Sequence, residues 1–197
     1  GVKADDYPRT LSVLRKFTNV RGALVTMPHK VTTLGLMDAV TPTASVAGAC
    51  NAILIRPDGS LLGDQFYGAG YVRGVQRKGF DVTGKRVLVS GSGGVGSAIA
   101  ASLAAAGVSE LALFDTVAAS AASLAARLHQ HYPQLRTRTG SNDPAGFDMI
   151  VNATPLGMNE GDPLPFEMDR VTPGTFVGEV VMRTAITPLL AAAQARG

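Results

Sequence analysis

The chain has 197 residues, 46% of them hydrophobic and 17% charged. That is enough for one large or two small domains with a buried core, and it excludes a disordered polypeptide. A net charge of +3, with lysines and arginines scattered except around Arg77, Lys78, Lys85 and Arg86, is no nucleic-acid footprint; that group is expected to solvate a helix end. No run of about 18 apolar residues marks a membrane span, and no signal peptide is visible. The single cysteine, Cys50, excludes an internal disulfide and fits a reducing, cytoplasmic setting.

In chain order, the spacing of Leu11, Val13, Leu14 and Phe17 predicts a short helix over 7–17. Residues 21–27 read as a strand that stops at Pro28, because proline cannot donate to a ladder. A helix is predicted over 31–39 and another helical turn over 43–47. Two apolar runs, 49–56 and 60–64, flank Pro57-Asp58-Gly59 and read as a β-hairpin. Residues 65–78 are expected to form a helix linking two halves, with 80–84 as a loop. Strands are then predicted at 87–90, 110–114, 136–139, 148–153 and 175–181. They alternate with helices at 97–106, 118–131 and 187–196. Such alternation argues for a parallel sheet covered on both faces. The expected organisation is an α/β domain over 1–79 and a Rossmann-type dinucleotide-binding domain over 80–197.

The second half is built on Val87 to Gly96. A buried strand runs into Gly91-x-Gly93-x-x-Gly96, a helix follows, and the next strand ends at Asp115, 24 residues after Gly91 and near the usual spacing of about 20. Gly91 permits the tight turn, Gly93 lets the backbone approach a pyrophosphate, and Gly96 lets the helix pack on the strand. Gly94 and Val95 complete the turn, and the phosphates belong at the helix N-terminus, where free N–H groups favour anions. An acid at the position of Asp115 accepts hydrogen bonds from both ribose hydroxyls and repels a 2′-phosphate, so NAD is expected over NADP. The alternative is that Asp115 only caps the following helix. The loop Thr154, Pro155, Leu156, Gly157, Met158 follows a strand's carboxyl end and should cover the nicotinamide side, with 179–182 lining the same cleft. His29, His129 and His131 lack ligand spacing, so no metal is expected. No nucleophile elbow is present.

Three stretches then carry a resemblance: Val25-Thr26-Met27-Pro28-His29-Lys30, Ala47-Gly48-Ala49-Cys50-Asn51-Ala52, and Gly63-Asp64-Gln65-Phe66-Tyr67-Gly68-Ala69-Gly70. With Asn152-Ala-Thr-Pro-Leu-Gly-Met158 and Thr187-Pro-Leu-Leu190 they occur in the order of the shikimate/quinate dehydrogenase family, which the chain resembles over nearly its whole length. The resemblance implies hydride transfer between a nicotinamide and a ring hydroxyl of a cyclic polyhydroxy acid, in a monomer or homodimer with no nucleic-acid or membrane partner. It also implies that the domain over 1–79 is the substrate-binding domain. Family members carry, on the same resemblance, a further segment before this point, holding a serine pair for the substrate carboxylate, and a last helix after it. Removal of hydride requires a proton acceptor at the same hydroxyl. Lys30, held after a strand-ending proline, is the candidate, with Thr26, Asn51 and Gln65 on the substrate. The family pattern over 63–70 is Gly-x-Asn-x-Asp-x-x-Gly. Gln65 stands for the asparagine and Tyr67 for the catalytic aspartate. That departure leaves two readings: an impaired dehydrogenase, or a catalytically weak NAD-binding or ligand-sensing paralogue.

Overall fold

The computed structural model describes residues 1–26 and 28–197. Helix α1 (Tyr7–Leu14) carries Pro8 in its first turn, where the missing N–H is not needed, and turns Tyr7 and Leu11 inward. Tyr7 stacks on His29 with ring centroids 4.2 Å apart, and its hydroxyl meets Thr33 at 2.7 Å, tying α1 to α2 (Lys30–Leu34). His29 also bonds the Val2 carbonyl oxygen, so its ring is spent on packing.

Strands β1 (Gly22–Leu24), β2 (Ala39–Val40), β3 (Ala52–Ile55) and β4 (Leu61–Asp64) form the first sheet in the order β1-β3-β4-β2. The β3–β4 hairpin turns where expected: Gly59 has φ +81°, and Asp58 accepts the Ser60 N–H at 2.9 Å. Two expectations need correction. The helix predicted over 31–39 ends at Leu34, and Ala39 instead opens β2, paired in parallel with Leu62 and Gly63. A ladder to a distant strand overrides the local helical spacing. The strand predicted over 21–27 is shorter, at Gly22–Leu24, and Met27 lies outside the described residues.

The second sheet is parallel throughout: β5 (Arg86–Ser90), β6 (Glu110–Phe114), β7 (Arg136–Thr139), β8 (Met149–Asn152) and β9 (Phe176–Glu179), in the order β7-β6-β5-β8-β9. Buried on both faces, its central strands are apolar without alternation. On one side Val87 and Val89 meet Ile99 of α5 (Gly94–Ala105) and Leu124 of α6 (Ala118–His131). On the other, Leu88 and Ile150 meet Phe166 and Leu189 of α7 (Pro188–Gln194). This is the Rossmann-type arrangement, and the strand order reverses between β5 and β8. Ligands of such sheets bind outside the carboxyl ends at that reversal.

Helices α3 (Pro42–Ala47) and α4 (Tyr67–Arg77) carry the first sheet onto the second. Val46, Val72 and Val75 share one core with α5. Arg127 Nε donates to the Val46 carbonyl at 2.7 Å, and His131 bonds Ser45 Oγ at 2.9 Å. At Gly68 a Cβ would strike the carbonyl of Ala98, so only glycine lets α4 approach α5 here. The junction is therefore a packed helix interface.

Candidate active site

The turn from β5 into α5 separates three glycine roles. Gly91 has φ +101°, a conformation that excludes other side chains, and its N–H bonds the Phe114 carbonyl at 2.8 Å. A Cβ at Gly96 would run into the carbonyl oxygen of Gly91, so glycine is what brings helix and strand together. Gly93 and Gly94 are different. Both are exposed, and nothing lies within 4 Å of where a Cβ would stand. The helix was expected to start at Ser97 and begins at Gly94 instead, placing its free first-turn N–H groups inside the glycine run. An open, anion-favouring cradle results, and the residues present fit a pyrophosphate.

Asp115 follows β6 beside this cradle. One carboxylate oxygen accepts the Ser92 N–H at 2.8 Å and the other the Val117 N–H at 2.9 Å. Each oxygen keeps a lone pair, and the carboxylate is fixed at the rim of the turn. Asp115 does not cap α6 directly: the residue before that helix is Val117, with no side-chain cap.

Beyond β8 the chain enters the loop Thr154–Met158. Asn152 is fully buried; its Oδ1 accepts from the Thr154 N–H and hydroxyl, and its Nδ2 donates to the Leu156 carbonyl at 2.9 Å. Gly157 has φ +99°, and Asp162 accepts the N–H groups of Gly157 and Asn159. Those bonds hold the Asp162 carboxyl below its ordinary range, first through Asn159. Pro155 and Met158 are exposed, and Leu156 is half-buried.

The other wall comes from the first sheet. Lys30, half-buried, is the first residue of α2, and its carbonyl accepts the Cys50 N–H at 2.9 Å. The Asn51 N–H bonds the Asp64 carbonyl, and the Asn51 carbonyl accepts the Val25 N–H. Asn51 Oδ1 takes the Phe66 N–H at 2.9 Å at the start of α4. Thr26, Lys30, Asn51 and Tyr67 are thereby gathered at one end of this sheet. Gln65 is gathered too but turned inward: it is 4% exposed, and its amide oxygen accepts the Tyr67 N–H at 3.2 Å. Tyr67 is 37% exposed and one residue from the Gly68–Ala98 contact, which lies one turn into α5. The turn over 63–68 and the glycine cradle are neighbours through that contact.

Residues 1–53 match the shikimate dehydrogenase substrate binding domain family. The chain is 33% identical over 208 aligned positions to a quinate/shikimate dehydrogenase of Escherichia coli, covering 100% of this chain and 72% of the relative. The chain belongs to the shikimate/quinate dehydrogenase family. A shikimate dehydrogenase (NADP(+)) of Rubrobacter xylanophilus is 38% identical over 90% of this chain, which spans 64% of that relative's length. Among solved structures, shikimate 5-dehydrogenase of Listeria monocytogenes in complex with shikimate and NAD superposes with a TM-score of 0.90 at 28% identity, covering 100% of this chain and 71% of that one. Quinate dehydrogenase of Corynebacterium glutamicum in complex with NAD gives 0.85 at 29%, covering 100% and 72%.

For this member of the shikimate/quinate dehydrogenase family, the sequence places Glu179 within the cleft-lining stretch 179–182 but not its bonding partners, and gives no sign of Tyr71. Glu179 ends β9 and gathers Asn152, Thr187 and two backbone N–H groups around its carboxylate. Asn152 and Glu179 are each the last residue of a strand, and only the alignment of β8 with β9 brings them together. Tyr71 of α4 buries its hydroxyl against Gly178 with no partner among the described residues. Burial pushes that phenol's pKa up strongly, with the nearby Glu179 charge adding to it. A tyrosine inside a glycine-rich helix carries no sequence signal for such a contact.

Proposed function

We propose that this chain binds a nicotinamide dinucleotide, NAD in preference to NADP, and a cyclic polyhydroxy acid of the shikimate or quinate class. Hydride transfer between them is slow in this chain. The observation that carries the reading is the glycine turn: tight at Gly91 and Gly96, open at Gly93 and Gly94, with the α5 N–H groups behind it. Those four residues and Val95 hold the pyrophosphate. Asp115 takes the adenosine ribose on its two remaining lone pairs, and its charge disfavours a 2′-phosphate. Thr154 to Met158 cover the nicotinamide, which supplies the hydride acceptor when bound.

On the facing wall, residues 1–79 hold the substrate. The Asn51 amide nitrogen and the Thr26 hydroxyl meet its hydroxyls, and Gln65 shapes the turn that presents Tyr67. Lys30 accepts the hydroxyl proton. A carboxylate at position 67 would hold that hydroxyl beside the lysine. Tyr67 has no carboxylate and is larger, so it takes away that charge and fills the space. The test is reduced-nicotinamide absorbance with NAD or NADP and shikimate or quinate, alongside thermal shift with each dinucleotide. A larger shift with NAD and weak turnover is expected. No shift with either dinucleotide would overturn the cofactor reading, and fast shikimate or quinate oxidation would overturn the impaired one.

A further inference from the structure

Glu179 stands out in the charge pattern of the cofactor sheet. Its Oε1 accepts the Val180 N–H at 2.8 Å, the Val181 N–H at 2.9 Å and Asn152 Nδ2 at 3.0 Å. Its Oε2 accepts Thr187 Oγ1 at 3.1 Å and, more distantly, Asn152 Nδ2. Each of these donors is neutral. Its two oxygens are thereby fixed in place by N–H and O–H donors alone. Among the described residues no lysine, arginine or histidine forms an ion pair with it; Arg183, four residues on, donates instead to the Met158 carbonyl. Glu179 is half-buried; the fully buried carboxylate of this sheet, Glu110, is by contrast paired with Arg138 at 2.8 Å and Arg86 at 3.4 Å. Glu179 is thus a carboxylate held by neutral donors, with no cation partner among the described residues.

Its location gives that charge a use. Asp115, beyond β6, marks the adenosine side of the crevice, so the dinucleotide's other half extends over the carboxyl ends of β8 and β9. Glu179 is the last residue of β9 and is bonded to Asn152, which shapes the loop Thr154–Met158. The oxidised nicotinamide ring carries a positive charge and the reduced ring carries none. We infer that Glu179 supplies the uncompensated charge that favours the oxidised dinucleotide over the reduced one, and that Asn152 and Thr187 hold it in place. Glu179 is a positioning residue for the loop and an electrostatic one for the ring. This inference rests on the dinucleotide reading above.

The experiment measures dissociation constants for NAD⁺ and NADH by calorimetry, with wild type, Glu179→Gln and Thr187→Val. In wild type NAD⁺ should bind at least as tightly as NADH. Glu179→Gln should weaken NAD⁺ more than NADH, raising the ratio of their dissociation constants by about tenfold. Thr187→Val keeps the charge but loosens its support, so both constants should rise together and the ratio should hold. A merely structural Glu179 would move both constants alike in Glu179→Gln, and that result overturns the inference. The wild-type ratio stands even where the variant fails to fold: NADH bound about tenfold more tightly than NAD⁺ would be equally fatal. If wild type binds neither form, the dinucleotide reading itself falls, and this inference with it.

Discussion

Two turns of this molecule each lead from a strand carboxyl end into a helix, and they have fared differently. The turn over 91–96 keeps each feature that a pyrophosphate site requires, with glycine where φ is positive, where helix meets strand, and where nothing obstructs approach. The turn over 63–68 keeps its scaffold. Gly68 still packs on Ala98, Asn51 still caps the Phe66 N–H, and Asp64 still receives the Thr41 hydroxyl at 2.6 Å. On the proposed reading its chemistry differs, with Tyr67 where the family resemblance implies an acid; Gln65 is folded inward. The difference teaches that backbone constraints and reacting groups can part company. On the proposed reading, this fold holds its cofactor cradle while the proton-transfer end of the same cleft diverges.

The sharpest way to break the comparison is within the first turn. Gly96→Ala should abolish dinucleotide binding and lower stability by about 1–3 kcal/mol or more, since the new methyl meets the Gly91 carbonyl. Gly94→Ala meets nothing in the protein, so it should fold normally and lose affinity only through intrusion on the ligand. Equal melting temperatures for the two variants would remove the distinction. A smaller effect is expected at Asp115: Asp115→Ser should shift the ratio of NAD to NADP affinity by about tenfold toward NADP, read by calorimetry, as expected from removing one charge near a phosphate. A wild-type protein that binds both alike would leave Asp115 without that role.

How much of this was legible beforehand follows from which contacts are local. The strand at 110–114 and the helix at 118–131 are legible to the residue, because a buried parallel strand is a continuous apolar run and an alanine-rich helix announces itself; the edge strand at 136–139, Arg-Thr-Arg-Thr and mostly exposed, matches its predicted bounds without such a run. The first half was read less well. Ala39–Val40 is a strand only because β4 lies beside it, which no local pattern encodes. In the candidate site, the glycines declare their backbone roles by spacing. Asn152, Glu179 and Thr187 do not, since their meeting depends on strand register and on α7 starting beneath them. Tyr71 stayed hidden because nothing around it marks the strand glycine it reaches.

That tyrosine gives a smaller prediction at the seam between the two turns. Its hydroxyl is buried and unpartnered, so Tyr71→Phe should raise stability by about 1 kcal/mol in chemical denaturation. A loss would mean that the hydroxyl has a bonding partner in solution. The smallest effect concerns Cys50, packed against Gly63 under the diverged turn. Burial, then the Asp64 charge, pushes the thiol up to about 11. A group raised in the folded state stabilises fully below its unfolded value, near ~8.5, and that contribution fades as pH rises toward the folded value. Denaturation midpoints should therefore fall between pH ~9 and about 11, and the slope should flatten in Cys50→Ala.

The contrast between an intact cradle and an altered proton-transfer turn is tested most directly by Tyr67→Asp in the otherwise unchanged protein, with NAD affinity and shikimate oxidation measured on the same preparation. Affinity should stay within about twofold of wild type, because Tyr67 lies outside the cradle, while turnover should rise by about 10²–10⁴-fold as the acid returns beside Lys30. Turnover no faster than wild type, or a wild-type protein already oxidising shikimate at ordinary rates of about 1–1000 per second, would contradict the account.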